Sequence, residues 1–239
     1  MELNKLKNKR ILVTGATSGI GKSLTLKLIN LGSKVAFCGR SKNKMDNLLN
    51  ETKGFEDNCY HELLDITNEN DIKMFVKNVI NNFGGIDILV NCAGANTAKS
   101  YLKDMKTSDL EYMLKINTIA PFVFMREVYE NMIKNNAGIV INVLSTVCNF
   151  SNEGIGAYTA SKAGLDALIK VFRKEARENN IHVSSIYPGG VDTDFRDISK
   201  PKYLTPEKVA DSILFMMLFE NNGVIDELVI RPMIEKNYL

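Results

Sequence analysis

Thr14-Gly15-Ala16-Thr17-Ser18-Gly19-Ile20-Gly21 joins an apolar run at residues 11–14 to a segment, residues 22–31, in which Leu24, Leu28 and Leu31 recur at helical spacing. Glycines at such a junction let the backbone turn sharply and let a ligand approach the main chain closely. A helix that begins there presents free N–H groups and a partial positive charge, which suits a phosphate or pyrophosphate. The spacing is G-x-x-x-G-x-G, and alone it also fits a turn that needs glycine only for close packing. Its place between an N-terminal strand and an amphipathic helix points to a nucleotide site on an open α/β sheet.

Working outward, further apolar runs occupy residues 35–38, 60–64, 86–90, 139–144, 181–187 and 228–230, the last stopped by Pro232. Short continuous runs of this kind suit strands buried on both faces of a parallel sheet. Helical periodicity fills residues 70–83, 110–134 and 158–178. A further helix opens on Thr205 as N-cap with Pro206 at its first position. The alternation predicts an α/β fold: a single Rossmann-type, doubly wound parallel sheet of about seven strands with helices on both faces. Residues 1–239 are expected to form one nucleotide-binding domain. Residues 189–204 lack periodicity and form a candidate substrate lid carrying Phe195, Arg196, Asp197, Lys200, Lys202 and Tyr203. Residues 150–155 are the other candidate substrate wall.

Bulk properties exclude several classes. The 239 residues include 30 basic and 28 acidic side chains, for a formal net charge of +2. That balance gives no electrostatic case for nucleic acid or an anionic membrane. No apolar run approaches the ~20 residues of a membrane span, and residues 1–10 are polar with no apolar signal core. Cys38, Cys59, Cys92 and Cys148 form no CxxC pair and no Cys/His cluster with metal-ligand spacing. They read as small thiols in a reducing compartment, so a cytoplasmic location, no metal and a small-molecule partner are expected.

The end of the second run decides between the two common dinucleotides. It reads Val35-Ala36-Phe37-Cys38-Gly39-Arg40-Ser41-Lys42. A site for NAD places a carboxylate there for the ribose 2′-OH, whereas a site for NADP offers arginine to the 2′-phosphate. Gly39 stands where the carboxylate would be, and the Arg40 guanidinium suits a phosphate better than a hydroxyl. NADP(H) is therefore expected in preference to NAD(H); the alternative is that Arg40 is only a solvated strand-end charge.

Tyr158-Thr159-Ala160-Ser161-Lys162 opens the helical segment at 158–178. Residues four apart share a helix face, so Lys162 can lie beside the Tyr158 phenol. A free phenol ionises near ~10, and a nearby ammonium favours the phenolate. Such a tyrosine can give a proton to a carbonyl or take one from an alcohol. The spacing alone is common; other residues give it meaning. Asn91-Cys92-Ala93-Gly94 follows the fourth run, Asn117 lies in Lys115-Ile116-Asn117, Ser145 falls 13 residues before Tyr158, and Pro188-Gly189 precedes Thr193.

In this order, from residue 14 to residue 193, these motifs resemble those of the short-chain dehydrogenase/reductase family, in its branch of NADP-preferring carbonyl reductases and 3-oxoacyl-carrier-protein reductases. The resemblance implies a catalytic set of Asn117, Ser145, Tyr158 and Lys162. Ser145 would bond the substrate oxygen and Tyr158 would be the general acid/base. Lys162 would bind the nicotinamide ribose and lower the Tyr158 pKa, and Asn117 would hold a water linking Lys162 to solvent. It further implies a cofactor site of Gly15, Thr17, Ser18, Gly19, Ile20, Gly21, Arg40, Asp65, Ile66, Asn91, Ala93, Gly94, Tyr158, Lys162, Pro188, Gly189, Val191 and Thr193. Asp65 and Ile66 would meet the adenine, Asn91 and Gly94 its ribose, and the Val191 backbone the carboxamide.

Taken singly, several of these residues have plainer roles open to them. Asp65 could cap the next helix, Ser145 could be a turn residue, Asn117 a helix-face polar group, and Asn91 a tie between strands. The chain also departs from the family pattern. Cys92 replaces the second Asn of Asn-Asn-Ala-Gly, Ser18 stands where many NADP-preferring relatives carry a base, and Glu227-Leu228-Val229-Ile230-Arg231-Pro232 replaces an Asp-Gly-Gly ending. The implied activity is reduction of a carbonyl to a secondary alcohol, or the reverse. The alternatives are a 3-oxoacyl-carrier-protein reductase, a hydroxysteroid or hydroxy-acid dehydrogenase, and a non-catalytic nucleotide sensor. The last would be expected to have lost Tyr158 or Lys162. The resemblance also implies a homodimer or homotetramer.

Overall fold

The computed structural model describes residues 2–195, 200–219 and 223–235. Strands and helices alternate as β1 (Arg10–Thr14), α1 (Gly19–Asn30), β2 (Lys34–Gly39), α2 (Lys42–Glu51), β3 (Cys59–Leu63), α3 (Glu69–Phe83) and β4 (Ile88–Asn91). They continue as α4 (Thr107–Leu114), α5 (Ala120–Asn135), β5 (Gly138–Val143), α6 (Gly156–Arg177), β6 (Ile181–Pro188), α7 (Pro206–Leu218) and β7 (Glu227–Ile230). The seven strands form one sheet in the order β3-β2-β1-β4-β5-β6-β7, with every pairing parallel.

Alternate side chains along each strand enter opposite faces of the sheet. Leu12, Ala36, Leu89, Val140 and Val183 pack with Phe75 of α3, Phe124 of α5 and Leu165 of α6. Ile11, Val13, Val35, Ile88 and Ile141 pack with Leu24 and Leu28 of α1, Met45 of α2 and Ile213 of α7. Both faces are therefore covered, which is why the strands read as continuous apolar runs.

The strand order reverses direction between β1 and β4. At such a switch point the loops leaving two neighbouring strands diverge and open a cleft at the carboxyl ends of the strands. The Gly15–Gly21 loop leaves β1 there and the Asn91–Gly94 loop leaves β4.

Two local features differ from the sequence expectation. The single helix expected over 110–134 is α4 and α5, joined by a π-helical turn at Lys115–Ile119. Pro121 supplies the reason. It has no N–H for the carbonyl of Asn117, four residues earlier, and its ring would collide with that carbonyl in a regular α-helix. Helix α2 had no clear periodic signal, because only Met45 and Leu48 in it are buried; Ser41 caps it by accepting from Lys44 N at 3.4 Å. The start of α7 is as expected, with Thr205 Oγ1 accepting from Lys208 N.

Candidate active site

The β1–α1 loop is shaped by backbone needs. Gly15 and Gly19 have φ of +67° and +52°, in the left-handed region that favours glycine. A Cβ on Gly15 would lie 2.7 Å from Ala93 Cα, and one on Gly21 would collide with the Gly15 carbonyl oxygen. Thr14 Oγ1 accepts from both Cys92 N and Ala93 N at 3.1 Å, locking this loop to the one that leaves β4. Ser18 is the N-cap of α1 but makes no side-chain bond to the first turn. The N–H groups there, from Gly19 to Gly21, are the donors a pyrophosphate would take.

At the far end of this loop lies Gly39. A Cβ there would sit 2.5 Å from Thr17 Cγ2 and 2.8 Å from Thr17 Oγ1. The position is closed to a carboxylate unless Thr17 moves. Arg40 is exposed, and its Nη1 donates to the Tyr112 hydroxyl on α4 at 3.0 Å. Asp65, just past β3, accepts from Thr67 N at 3.0 Å. That bond, with a smaller contribution from the Arg40 charge, holds its carboxyl below the usual range. Asp65 is not the cap of α3; Asn68 is, accepting from Asn70 N. Ile66 packs at the margin of the core beneath.

The four residues of the expected catalytic set sit just past β5, on α6 and in the π-helical turn. Ser145 follows β5, and its Oγ accepts from Val147 N at 3.3 Å. Tyr158 and Lys162 lie on the first turns of α6, 8% and 4% exposed. Lys162 Nζ donates to Val143 O at 2.8 Å. Val143 is two residues before Ser145, so this bond fastens the helix bearing Tyr158 to the strand end bearing Ser145. Burial lowers the Lys162 pKa to about 8.

Asn117 is fully buried in the π-helical turn. Its Oδ1 accepts from Ala95 N at 2.9 Å, and its Nδ2 donates to Ala95 O at 2.8 Å and to Ser161 Oγ at 3.0 Å. The amide thereby ties the loop after β4 to α6. A Cβ on Gly94 would come within 3.2 Å of Asn117 Oδ1 and 3.4 Å of Lys162 Nζ, so the bare backbone at Gly94 leaves both groups room. Asn91 points into the sheet. Its Nδ2 donates to Asn142 Oδ1 at 2.9 Å and to Pro121 O at 3.3 Å, joining β4, β5 and α5.

The other wall comes from β6 and β7. Pro188 is buried at the end of β6, and Gly189 N donates to Ile230 O at 2.8 Å. Val191 pairs with Leu204, closing the base of the loop between them. Thr193 to Phe195 cross the cleft. Thr193 lies against Gly19, Lys44 pairs with Asp194 at 3.2 Å, and the Phe195 ring stands 6.0 Å from the Tyr158 ring. Arg196 and Asp197, named above as lid residues, lie outside the described residues.

A family model described as short chain dehydrogenase matches residues 9–203. The chain belongs to the short-chain dehydrogenase family. Over 238 residues it is 33% identical to the 3-oxoacyl-(acyl-carrier-protein) reductase FabG of Thermotoga maritima, covering 94% of this chain and 96% of that one. It is 29% identical over 233 residues to an uncharacterized oxidoreductase of Staphylococcus haemolyticus, covering 96% and 100%. Among solved structures, a metagenomic short-chain oxidoreductase in complex with NADP matches with a TM-score of 0.85 and 27% identity, over 95% of this chain and 99% of that one. An alcohol dehydrogenase from the archaeon Thermococcus sibiricus, complexed with 5-hydroxy-NADP, shares the fold with a TM-score of 0.85 at 20% identity, over 95% and 98%.

In this short-chain dehydrogenase some residues that touch the expected site gave no signal in the sequence. Tyr112 is one: an isolated aromatic on a helix looks like core, and only the fold brings it to Arg40. The segment after β7 is another. Arg231 stacks 4.4 Å from the Phe150 ring centroid, and the Glu235 carboxylate accepts from Gly190 N at 2.6 Å. Both contacts join residues more than forty positions apart.

Proposed function

We propose that this short-chain dehydrogenase is an NADP(H)-dependent oxidoreductase that interconverts a small carbonyl compound and its secondary alcohol, with Tyr158 as general acid/base. The observation that carries this is the Lys162–Val143 bond. It fastens the first turns of α6, which carry the buried Tyr158 and Lys162, to the end of β5, two residues before the half-buried Ser145.

When bound, the nicotinamide cofactor supplies or accepts the hydride. Gly15, Thr17, Ser18, Gly19, Ile20 and Gly21 would hold its pyrophosphate, with Arg40 at the 2′-phosphate and Asp65 and Ile66 at the adenine. Asn91, Ala93 and Gly94 would border the adenine ribose, and Pro188, Gly189, Val191 and Thr193 the nicotinamide end. Ser145 accepts from Val147 N, which leaves its own O–H to donate to the substrate oxygen and stabilise developing charge. Tyr158 gives its proton to the carbonyl oxygen in reduction and takes it back in oxidation. Lys162 binds the ribose hydroxyls and favours the phenolate. Asn117 contributes to a water relay through its carbonyl oxygen, because its side chain is committed to Ala95 and Ser161 and Pro121 has no N–H for that carbonyl.

A more specific reading, a 3-oxoacyl-carrier-protein reductase, is supported by the 33% identical relative of that name. NADPH consumption with a panel of free ketones, hydroxy acids and acetoacetyl thioesters separates the two. Turnover of thioesters supports the carrier-protein substrate, and turnover of free carbonyls alone supports a small-molecule reductase. Tight NADPH binding with no turnover of any carbonyl favours the sensor.

Ile119, Phe122, Leu168 and Val171 expose apolar surface on the π-helical turn, α5 and α6. This supports a homodimer or homotetramer built on those helices. All four cysteines are free, which supports a reducing, cytoplasmic setting.

A further inference from the structure

We propose that Tyr112 is a positioning residue for Arg40 and, through it, a determinant of 2′-phosphate recognition; this rests on Arg40 being the 2′-phosphate ligand. Arg40 is a long, exposed side chain that has much rotational freedom to lose when it grips a phosphate. A group that holds it in place beforehand removes part of that cost. Tyr112 can do so. Its ring is partly buried against the small cluster of Ala98, Met113 and Ala157, which fixes it on α4. Its hydroxyl then accepts from Arg40 Nη1 at 3.0 Å, across the mouth of the β2–α2 loop.

The other groups at this corner point the same way. The space a Cβ would occupy at Gly39 is taken by Thr17, so no side chain at 39 can compete for the 2′ position without displacing it. Asp65, the carboxylate on the neighbouring strand end, is already bound to Thr67 N and feels the Arg40 charge without forming a close pair with it. Arg40 is thus held by a neutral hydroxyl rather than by a hydrogen-bonded carboxylate. A carboxylate in the same position would compete with the phosphate.

The test is the dissociation constants of NADP⁺ and NAD⁺, which differ only by the 2′-phosphate, for the full-length wild type, Tyr112→Phe, Arg40→Gln and the double variant. Tyr112→Phe should weaken NADP⁺ by about 3- to 10-fold, the effect of one ordinary hydrogen bond, and leave NAD⁺ within about 2-fold. Arg40→Gln should weaken NADP⁺ more, and adding Tyr112→Phe to it should cost nothing further. Equal losses for both cofactors, no loss for either, or additive losses in the double variant would overturn the role of Tyr112. An unchanged NADP⁺/NAD⁺ ratio in Arg40→Gln would overturn the phosphate assignment itself, whatever Tyr112→Phe does.

Discussion

Lys162 is 4% exposed and gives a hydrogen bond to a main-chain carbonyl, so burial and the role proposed for it pull its proton in opposite directions. Desolvation favours the neutral amine and brings the pKa to about 8, whereas the proposed ribose binding and phenolate stabilisation both call for the ammonium. The sign follows directly. The ammonium is present below about pH 8 and is lost above it, so cofactor affinity should fall as pH rises through that value. Dissociation constants for NADP⁺ measured on either side of about pH 8 check this. Lys162→Met should bind weakly on both sides and lose the step; a step of the same size in that variant would assign the titration elsewhere. Tyr158 and Lys162 were legible as a pair because helix geometry fixes residues four apart. The bond to Val143 was not, because its acceptor is a main-chain atom on a strand 19 residues away.

Helix and loop geometry decides how far one residue can be changed without its neighbours. The Gly39–Thr17 contact is the clearest case. Gly39→Asp, the obvious change toward NAD, places a Cβ 2.5 Å from Thr17 Cγ2. Overpacking of this kind costs about 1–3 kcal/mol, a fall in Tm of a few degrees in a chain of this size. Thr17→Ala in the same background should recover most of the loss in thermal unfolding. Simple addition of the two single effects would show that the contact is not what excludes a side chain at 39. The glycine loop and the strand runs were readable because they are local patterns. Helix α2 was hidden because so little of it is buried. The break between α4 and α5 was signalled only by Pro121, whose consequence falls four residues earlier, at Asn117. The bonds of the Asn117 amide to Ala95 and Ser161 were not legible either, since no sequence pattern records which loop a buried amide will bind.

At the scale of the whole molecule, parallel strands bring every site loop to one edge, and the reversal between β1 and β4 opens the cleft there. Apart from α2 and the break between α4 and α5, this architecture was legible, because continuous apolar runs alternating with helical periodicity admit few other folds. The contacts of Arg231 and Glu235 were not, since they depend on β7 lying beside β6. The exposed apolar side chains of α5 and α6 predict self-association. Light scattering should give a dimer or tetramer, and Leu168→Glu with Val171→Glu should shift it toward monomer; a wild-type monomer would remove the assembly. Tyr158→Phe tests the chemistry most directly, with NADPH oxidation and NADPH affinity measured together on the best carbonyl substrate. Loss of the general acid should lower turnover about 10²- to 10⁴-fold while NADPH affinity stays near that of the wild type. Wild-type turnover in Tyr158→Phe would contradict the mechanism.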